Sequence, residues 1–84
     1  VIKLKKEILK YERIRNLRID SGLTQKKVAD MLKIKQNTYS QYEIGVLNYP
    51  LDIVIRLANF YGTSVDYLVG LTDNPKPYER ASVK

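Results

Sequence analysis

The chain has 84 residues, enough for one small domain with a modest core and too few for a large enclosed active site. It contains no Cys and no His, which excludes disulfides, the usual zinc ligands and the commonest general base. A net charge of +6 indicates a polyanionic partner, either nucleic acid or an anionic membrane surface. We expect a small cytoplasmic protein without metal or cofactor.

The first predicted helix covers residues 6–20. Ile8, Tyr11, Ile14 and Leu17 recur at spacings of three with charged residues between them, and Gly22 follows as a typical helix stop. Residues 1–18 hold seven Lys or Arg against two Glu. This excess indicates either a solvated helix face or an arm that faces phosphates.

A second helix is predicted after Thr24, a favourable N-cap residue. Val28, Ala29 and Leu32 give this helix an apolar stripe. Its first turn carries Lys26 and Lys27, whose charges oppose the helix dipole by roughly 0.3–1 kcal/mol each when exposed. Because such lysines gain where a helix N-terminus faces a phosphate, we interpret them as phosphate ligands. The alternative is two solvated lysines.

A turn is predicted at residues 33–35. A third helix is predicted at residues 36–43, with Tyr39 and Tyr42 on its buried side. The opposite side carries four uncharged polar residues: Gln36, Asn37, Ser40 and Gln41. Gln and Asn amides can form two hydrogen bonds to adenine in a DNA major groove. We interpret this side as a base-reading surface. The alternative is an ordinary solvated face, and for Ser40 that alternative is the stronger one.

The second half of the chain predicts a loop at 46–50, a fourth helix at 51–61 that ends at Gly62, and a short fifth helix capped by Ser64. The packed face of the fourth helix is predicted to hold Leu51, Val54, Leu57, Ala58 and Tyr61. The fifth helix is predicted to contain Val65, Leu68 and Val69. Because Pro75 and Pro77 prevent a helix, residues 71–84 are predicted to be an extended tail. Five short helices predict an all-α fold.

The chain resembles the phage repressor/Cro-type helix-turn-helix regulators, the XRE group. The similarity covers about residues 13–70 and rests on IRNLRIDSGLTQKKVADML, KIKQNTYSQYEIG and PLDIVIRLANFYGTSVDYLVG, in that order. It implies a compact five-helix, lambda-repressor-like DNA-binding domain at 11–70, with the helix-turn-helix at about 24–43. A basic N-terminal extension at 1–10 and an extended C-terminal tail at 71–84 would flank this domain. The implied function is a transcriptional regulator, a repressor, that binds a palindromic double-stranded operator as a homodimer.

The resemblance also implies roles for individual residues. Gln25 would contact a phosphate and brace the third helix, while Gln36, Asn37 and Gln41 would face base edges. Ser40 would lie at the groove wall. Arg18 and Glu43 match a buried ion pair that ties the first helix to the third. The residues expected at phosphates are Gln25, Lys26, Lys27, Lys35 and Asn48.

Three positions depart from the family pattern. Lys33 replaces the usual Gly of the turn, where φ > 0 is costly for Lys. Lys35 replaces the usual Ser or Thr cap of the third helix, although it could reach a phosphate instead. The loop after Gly45 lacks basic residues, so phosphate contact there would depend on backbone N–H groups, Asn48 or the Tyr49 hydroxyl.

A second function stays open from the sequence: an antitoxin or another module that binds a partner protein. The tail at 71–84 and the apolar Val46 and Leu47 are its candidate surfaces. Tyr67, Val69 and Leu71 lie where relatives often dimerise, or they cover the protein's own core. We expect no enzymatic activity, since the carboxylates are scattered and the sequence has no glycine-rich phosphate loop or metal-spacing motif.

Overall fold

The computed structural model describes residues 11–79, and every regular element in that range is a helix. The five helices are α1 (Glu12–Asp20), α2 (Gln25–Leu32), α3 (Gln36–Glu43), α4 (Leu51–Tyr61) and α5 (Val65–Leu68). This confirms the predicted all-α, five-helix fold. Residues 1–10, which contain the predicted basic extension and the start of the first predicted helix, lie outside the described residues. Within residues 11–79 no helix is both long and apolar enough to cross a bilayer.

The predicted helix boundaries follow from capping chemistry. The Thr24 hydroxyl accepts a hydrogen bond from the Lys27 N–H at 3.0 Å, and the Ser64 hydroxyl accepts one from the Tyr67 N–H at 3.0 Å. Each bond satisfies a backbone donor that the first helical turn leaves without a partner. The first helix was predicted at 6–20. Tyr11 is the N-cap residue and not a helical one, so α1 begins at Glu12, while residues 6–10 lie outside the described range.

The turn between α2 and α3 carries the strain expected from its sequence. Lys33 has φ 61° and ψ 43°, the left-handed conformation that favours Gly. Lys35 precedes α3 with extended backbone and provides no side-chain cap. The three-residue turn therefore departs from local preference twice: Lys33 adopts a conformation that favours Gly, and Lys35 does not cap the next helix.

The core forms where the apolar faces of the helices meet. Tyr39, Val28 and Leu57 are completely buried at its centre. The buried apolar residues are Ile14, Val28, Ala29, Leu32, Tyr39, Ile53, Val54, Leu57, Ala58 and Leu68. Every helix contributes at least one of them, so no helix of this group can be removed without exposing the core.

Leu51 was placed on the packed face of α4, and this prediction was wrong. Its side chain is 68% exposed, whereas Ile53, which the prediction omitted, is 5% exposed. At 3.6 residues per turn, Leu51 lies about 90° from the centre of the face formed by Val54, Leu57 and Tyr61. It also lies at the first residue of the helix, where less of the protein is available to cover it.

The segment 71–79 has no helix, as predicted, but it is attached to the domain. Arg13 donates to the Thr72 carbonyl at 2.6 Å and pairs with the Asp73 carboxylate at 2.5 Å. Thr63 donates to the Pro75 carbonyl at 2.6 Å. The Tyr78 hydroxyl donates to the Asp66 carboxylate at 3.0 Å. The described part of the tail therefore packs back on α1, on α5 and on Thr63 between α4 and α5.

Candidate nucleic-acid interface

The turn that joins α2 to α3 is held by backbone bonds and by one distant arginine. The Ile34 N–H donates to the Ala29 carbonyl at 3.0 Å, and Ile34 packs against the core. Arg56 of α4 donates to the carbonyls of Leu32 at 3.2 Å and Met31 at 3.4 Å, the last residues of α2. Sequence analysis missed Arg56, because no local pattern signals a contact across 24 residues.

Glu43, the last residue of α3, anchors this helix to its neighbours. Its carboxylate is fully buried and accepts from Arg18 Nε of α1 at 2.7 Å. It also accepts from Gln25 Nε2 of α2 at 3.0 Å and from the Tyr39 hydroxyl of α3 at 2.5 Å. Arg18 donates in addition to the Leu23 carbonyl at 2.8 Å. One side chain thus links the first three helices.

This network contains both the predicted ion pair and a member that sequence analysis missed. Arg18 and Glu43 pair as the resemblance implied, and Gln25 braces α3 through Glu43. The Tyr39 hydroxyl was not predicted. A signal was available, since Tyr39 and Glu43 are four residues apart and therefore neighbours on one helix face.

Electrostatics keep this network in one protonation state. Burial by itself would raise the pKa of Glu43, but hydrogen bonds from Arg18, Tyr39 and Gln25 outweigh it and hold that pKa below its ordinary value. Burial and the bond to Glu43 raise the pKa of Tyr39 far above its usual range. Burial, followed by the charge of Glu43, raises the pKa of Tyr61 to about 12. Glu43 is therefore ionised at neutral pH and Tyr39 remains a donor.

The opposite side of α3 is open to solvent. With about 100° between successive residues, Gln36, Ser40, Asn37 and Gln41 span an arc of roughly 140°. Gln36 and Asn37 are exposed, while Ser40 and Gln41 are partly exposed. None of these four side chains makes a hydrogen bond within the part of the chain that the structure describes. Their donors and acceptors are available to a ligand.

The candidate phosphate ligands lie on α2, in the turn before α3 and in the loop after α3, and they differ in whether another residue already binds them. Lys27 and Lys35 are exposed and form no ion pair with residues 11–79. Lys26 pairs with Asp30 at 3.2 Å, with both side chains more than 60% exposed. Such an exposed pair contributes little, so Lys26 can exchange Asp30 for another anion. The Gln25 amide already donates to Glu43, and Asn48 is exposed in the loop after α3.

The Tyr49 hydroxyl was one of the groups expected to provide a phosphate contact, and this expectation was wrong. The hydroxyl is buried. Its ring packs against Tyr42 at 5.2 Å and Tyr11 at 6.0 Å between centroids, so it is part of the aromatic packing under the loop. Val46 and Leu47, in contrast, are 66% and 42% exposed. Residues 11–79 contain no acidic cluster that could hold a metal ion.

Comparison of the amino-acid sequence with known proteins identifies a family and several relatives. A helix-turn-helix family model matches residues 14–68. The chain is 40% identical over 74 residues to the uncharacterized HTH-type transcriptional regulator YobD of Bacillus subtilis (strain 168), covering 87% of this chain and 66% of YobD. It is 35% identical over 68 residues to the HTH-type transcriptional regulator ImmR of the same organism, covering 81% of this chain and 54% of ImmR.

A third relative comes from a phage. The chain is 40% identical over 57 residues to the cryptic phage CTXphi transcriptional repressor RstR of Vibrio cholerae, covering 68% of this chain and 51% of RstR. The chain spans about half to two thirds of the length of these relatives. No solved structure matches it.

Proposed function

The chain belongs to the phage repressor/Cro-type helix-turn-helix family, and we propose that it is a sequence-specific, double-stranded DNA-binding transcriptional repressor. Relatives named as transcriptional regulators, and the repressor RstR among them, support this function. The family is one of DNA-binding regulators and not of enzymes. A repressor of this kind acts where the operator DNA is, so we propose a cytoplasmic location.

One observation carries the proposal: α3 presents four unengaged polar side chains to solvent while Glu43 anchors its other side. A helix that reads bases must keep its side chains free and its axis fixed. Gln36, Asn37 and Gln41 would bond to base edges, with Ser40 at the groove wall. Each bidentate amide–adenine pair would contribute roughly 1–3 kcal/mol of discrimination, so A·T pairs are expected within the site.

Phosphate contacts would position the domain on the duplex. Gln25, Lys26, Lys27, Lys35 and Asn48 are the proposed ligands. Because each neutralised phosphate releases counterions, the logarithm of the binding constant should fall with the logarithm of salt concentration. Replacing Lys27 by Gln should lower the magnitude of that slope by roughly 0.9 per protomer without changing the preferred sequence.

We further propose that two copies bind one palindromic operator. A homodimer matches its own two-fold symmetry to two half-sites about one helical turn apart. Selection from random duplex DNA at near-physiological salt tests both parts. An enriched two-fold symmetric sequence supports a dimeric regulator. A folded protein that enriches no sequence would contradict sequence-specific binding.

The base-reading assignment has its own test. Gln36→Ala combined with Gln41→Ala should abolish preference for the selected site while binding to unrelated DNA is retained. Asn16→Ala is the matched control, because it removes an exposed amide from α1 and leaves α3 intact. An unchanged site preference in the double variant would sink the assignment of α3 as the reading helix.

The exposed apolar loop favours a second candidate, a module that binds a partner protein, such as an antitoxin. Val46 is 66% exposed and Leu47 is 42% exposed. In this case the protein would co-purify with a second small protein of constant stoichiometry. Loss of that protein on Val46→Ser and Leu47→Ser substitution would support this function. Purification of the chain alone from its native cells would argue against it.

A further inference from the structure

A groove lies between α2 and the C-terminal end of α4. Its volume is about 400 Å³, within the range of small-molecule sites. The residues that line it are Leu23, Lys27, Val28, Asp30, Met31 and Phe60. Four of them share one side of α2, where they span an arc of roughly 160°. Of the six, Lys27 alone has a role in the proposed contacts with DNA.

Four of the six lining side chains are apolar. Val28 is completely buried, and Leu23 and Met31 are partly buried and pack against the core. Phe60 is 48% exposed, so a large part of its ring is left in water. A second ring can pack on this aromatic surface, and the flexible thioether of Met31 can adapt to it. Apolar walls with a few polar groups are typical of sites that bind small molecules.

The charges at the groove favour an anion. The Asp30 carboxylate pairs with Lys26 at 3.2 Å, so these two charges compensate each other. Lys27 is exposed and forms no ion pair with another residue of the range 11–79. The groove therefore has one uncompensated ammonium group, which attracts a negative charge. A cationic ligand would have to displace Lys26 from Asp30 and would be repelled by Lys27.

The size of the groove favours a small molecule over a folded partner. Stable protein interfaces use about 20–30 residues on each side, whereas six residues line this groove. We propose that it binds a small aromatic carboxylate, with the ring against Phe60 and Met31 and the carboxylate on Lys27.

Binding of this ligand would also regulate contact with DNA. Lys27 is one of the proposed phosphate ligands, and a bound carboxylate neutralises the charge that Lys27 would offer to a phosphate. The ligand therefore weakens DNA binding, and DNA weakens ligand binding by the same factor. This effect on DNA rests on the proposed function, whereas binding in the groove does not.

Three soluble probes with the same phenyl ring test the groove: phenylacetate, its neutral isostere phenylacetamide, and the cation phenethylamine. Amide and methyl NMR shifts of the protein are followed as each probe is added at low ionic strength. Shifts should concentrate at the six lining residues, with dissociation constants on the order of millimolar for probes of this size. Because an exposed ion pair contributes little, phenylacetate should bind about 1.5–5-fold more tightly than phenylacetamide. Phenethylamine should bind most weakly.

Two variants and a control separate the ring from the charge. Lys27→Gln should give phenylacetate and phenylacetamide equal affinities, and Phe60→Ala should weaken the binding of all three probes. Lys76→Gln removes an exposed lysine that does not line the groove, so it should bind the probes as the wild type does. Thermal unfolding checks each variant. The comparison of the three probes on the wild type decides the charge preference even if Phe60→Ala is unstable.

The effect on DNA is measured with an unrelated duplex, and sodium acetate at the same concentration is the ionic control. Saturating phenylacetate should lower the magnitude of the salt slope of DNA binding by roughly 0.9 per protomer relative to acetate. Lys27→Gln should show the lower slope without the probe and no further change with it.

Absence of shifts at the lining residues with phenylacetate would overturn the proposal. Equal or tighter binding of phenylacetamide or phenethylamine would also overturn it, as would a preference for phenylacetate that survives Lys27→Gln. Binding of phenylacetate without any change in the salt slope would refute the link to DNA. If the wild type enriches no DNA sequence, the proposed function fails, while the probe titrations, which need no DNA, still decide the groove.

Discussion

Replacement of Glu43 by Gln tests whether the buried network holds the reading helix in place. The substitution preserves the size of the side chain and removes its charge. Arg18, whose side chain is only 12% exposed, then loses the carboxylate that compensates its guanidinium. The new amide also presents an NH₂ group to a site where Arg18, Gln25 and Tyr39 all donate, so at least one pair of donors must face each other.

The expected loss is large relative to the stability of the domain. Removing one partner of a buried ion pair costs about 3–5 kcal/mol. A chain of this length has a free energy of unfolding of about 4–13 kcal/mol. Tyr39→Phe removes one hydrogen bond to a charged group and leaves Glu43 with Arg18 and Gln25, so it should cost about 1.5–3 kcal/mol. Glu43→Gln should therefore lower the free energy of unfolding more than Tyr39→Phe does.

Urea unfolding followed by circular dichroism measures both losses. With a slope of about 1 kcal/mol per molar urea for a domain of this size, Glu43→Gln should lower the midpoint by several molar or unfold the protein outright. Lys26→Gln is the control, because it breaks an exposed ion pair and should change stability by less than about 1 kcal/mol. The reasoning is refuted if Glu43→Gln and Lys26→Gln have the same effect.

Three further predictions concern pH, the turn and the tail. Because folding lowers the pKa of Glu43, the contribution of its charge to stability is complete above about pH 4.5 and is lost as the pH falls through the lowered pKa. The urea midpoints of the wild type and of Glu43→Gln should therefore converge at acid pH. A gap between them that stays constant with pH would contradict this. Lys33→Gly removes the strain of a left-handed residue and should raise the free energy of unfolding by about 1 kcal/mol. Gly62→Ala, at φ 70°, should lower the free energy of unfolding by a similar amount. If thermal unfolding shows that both variants change stability in the same direction, backbone strain is not the cause. Arg13→Lys retains the charge, but a single ammonium cannot bond to the carbonyls of Tyr67 and Thr72 and to Asp73 together. Amide hydrogen exchange in residues 72–78 should therefore accelerate. Unchanged exchange would show that the attachment of the tail does not depend on Arg13.

The helices themselves could be predicted from the sequence because their signals are local. The bounds 36–43 and 51–61 agree with α3 and α4, and the caps at Thr24 and Ser64 form as expected. Periodicity, caps and glycine stops act within one or two turns of the chain. The left-handed conformation of Lys33 was implied by the family resemblance, since the family usually has Gly at this position of the turn.

Resemblance to a family extended prediction to pairs that are distant along the chain. Arg18 and Glu43 are 25 residues apart, and their spacing alone does not indicate contact. Residue-by-residue similarity identified the pair, together with the role of Gln25 as a brace. The proposed base and phosphate contacts of α2 and α3 rest on the same similarity and on the free state of their side chains.

What the sequence by itself determined is the set of five helices, most of their described ends and the polar side of α3. Val69 was predicted inside the fifth helix, but α5 ends at Leu68 and Val69 is the residue that follows it. Tertiary structure decided which apolar residues are covered, since burial depends on neighbours that are remote in the chain. Leu51 is exposed although helix periodicity placed it on the packed face, and the Tyr49 hydroxyl, one of the candidate phosphate contacts, is buried. The contacts of Arg13 with the tail and of Arg56 with the end of α2 span 24 to 60 residues. Such contacts form only after the helices have packed, and no periodicity in the sequence encodes them.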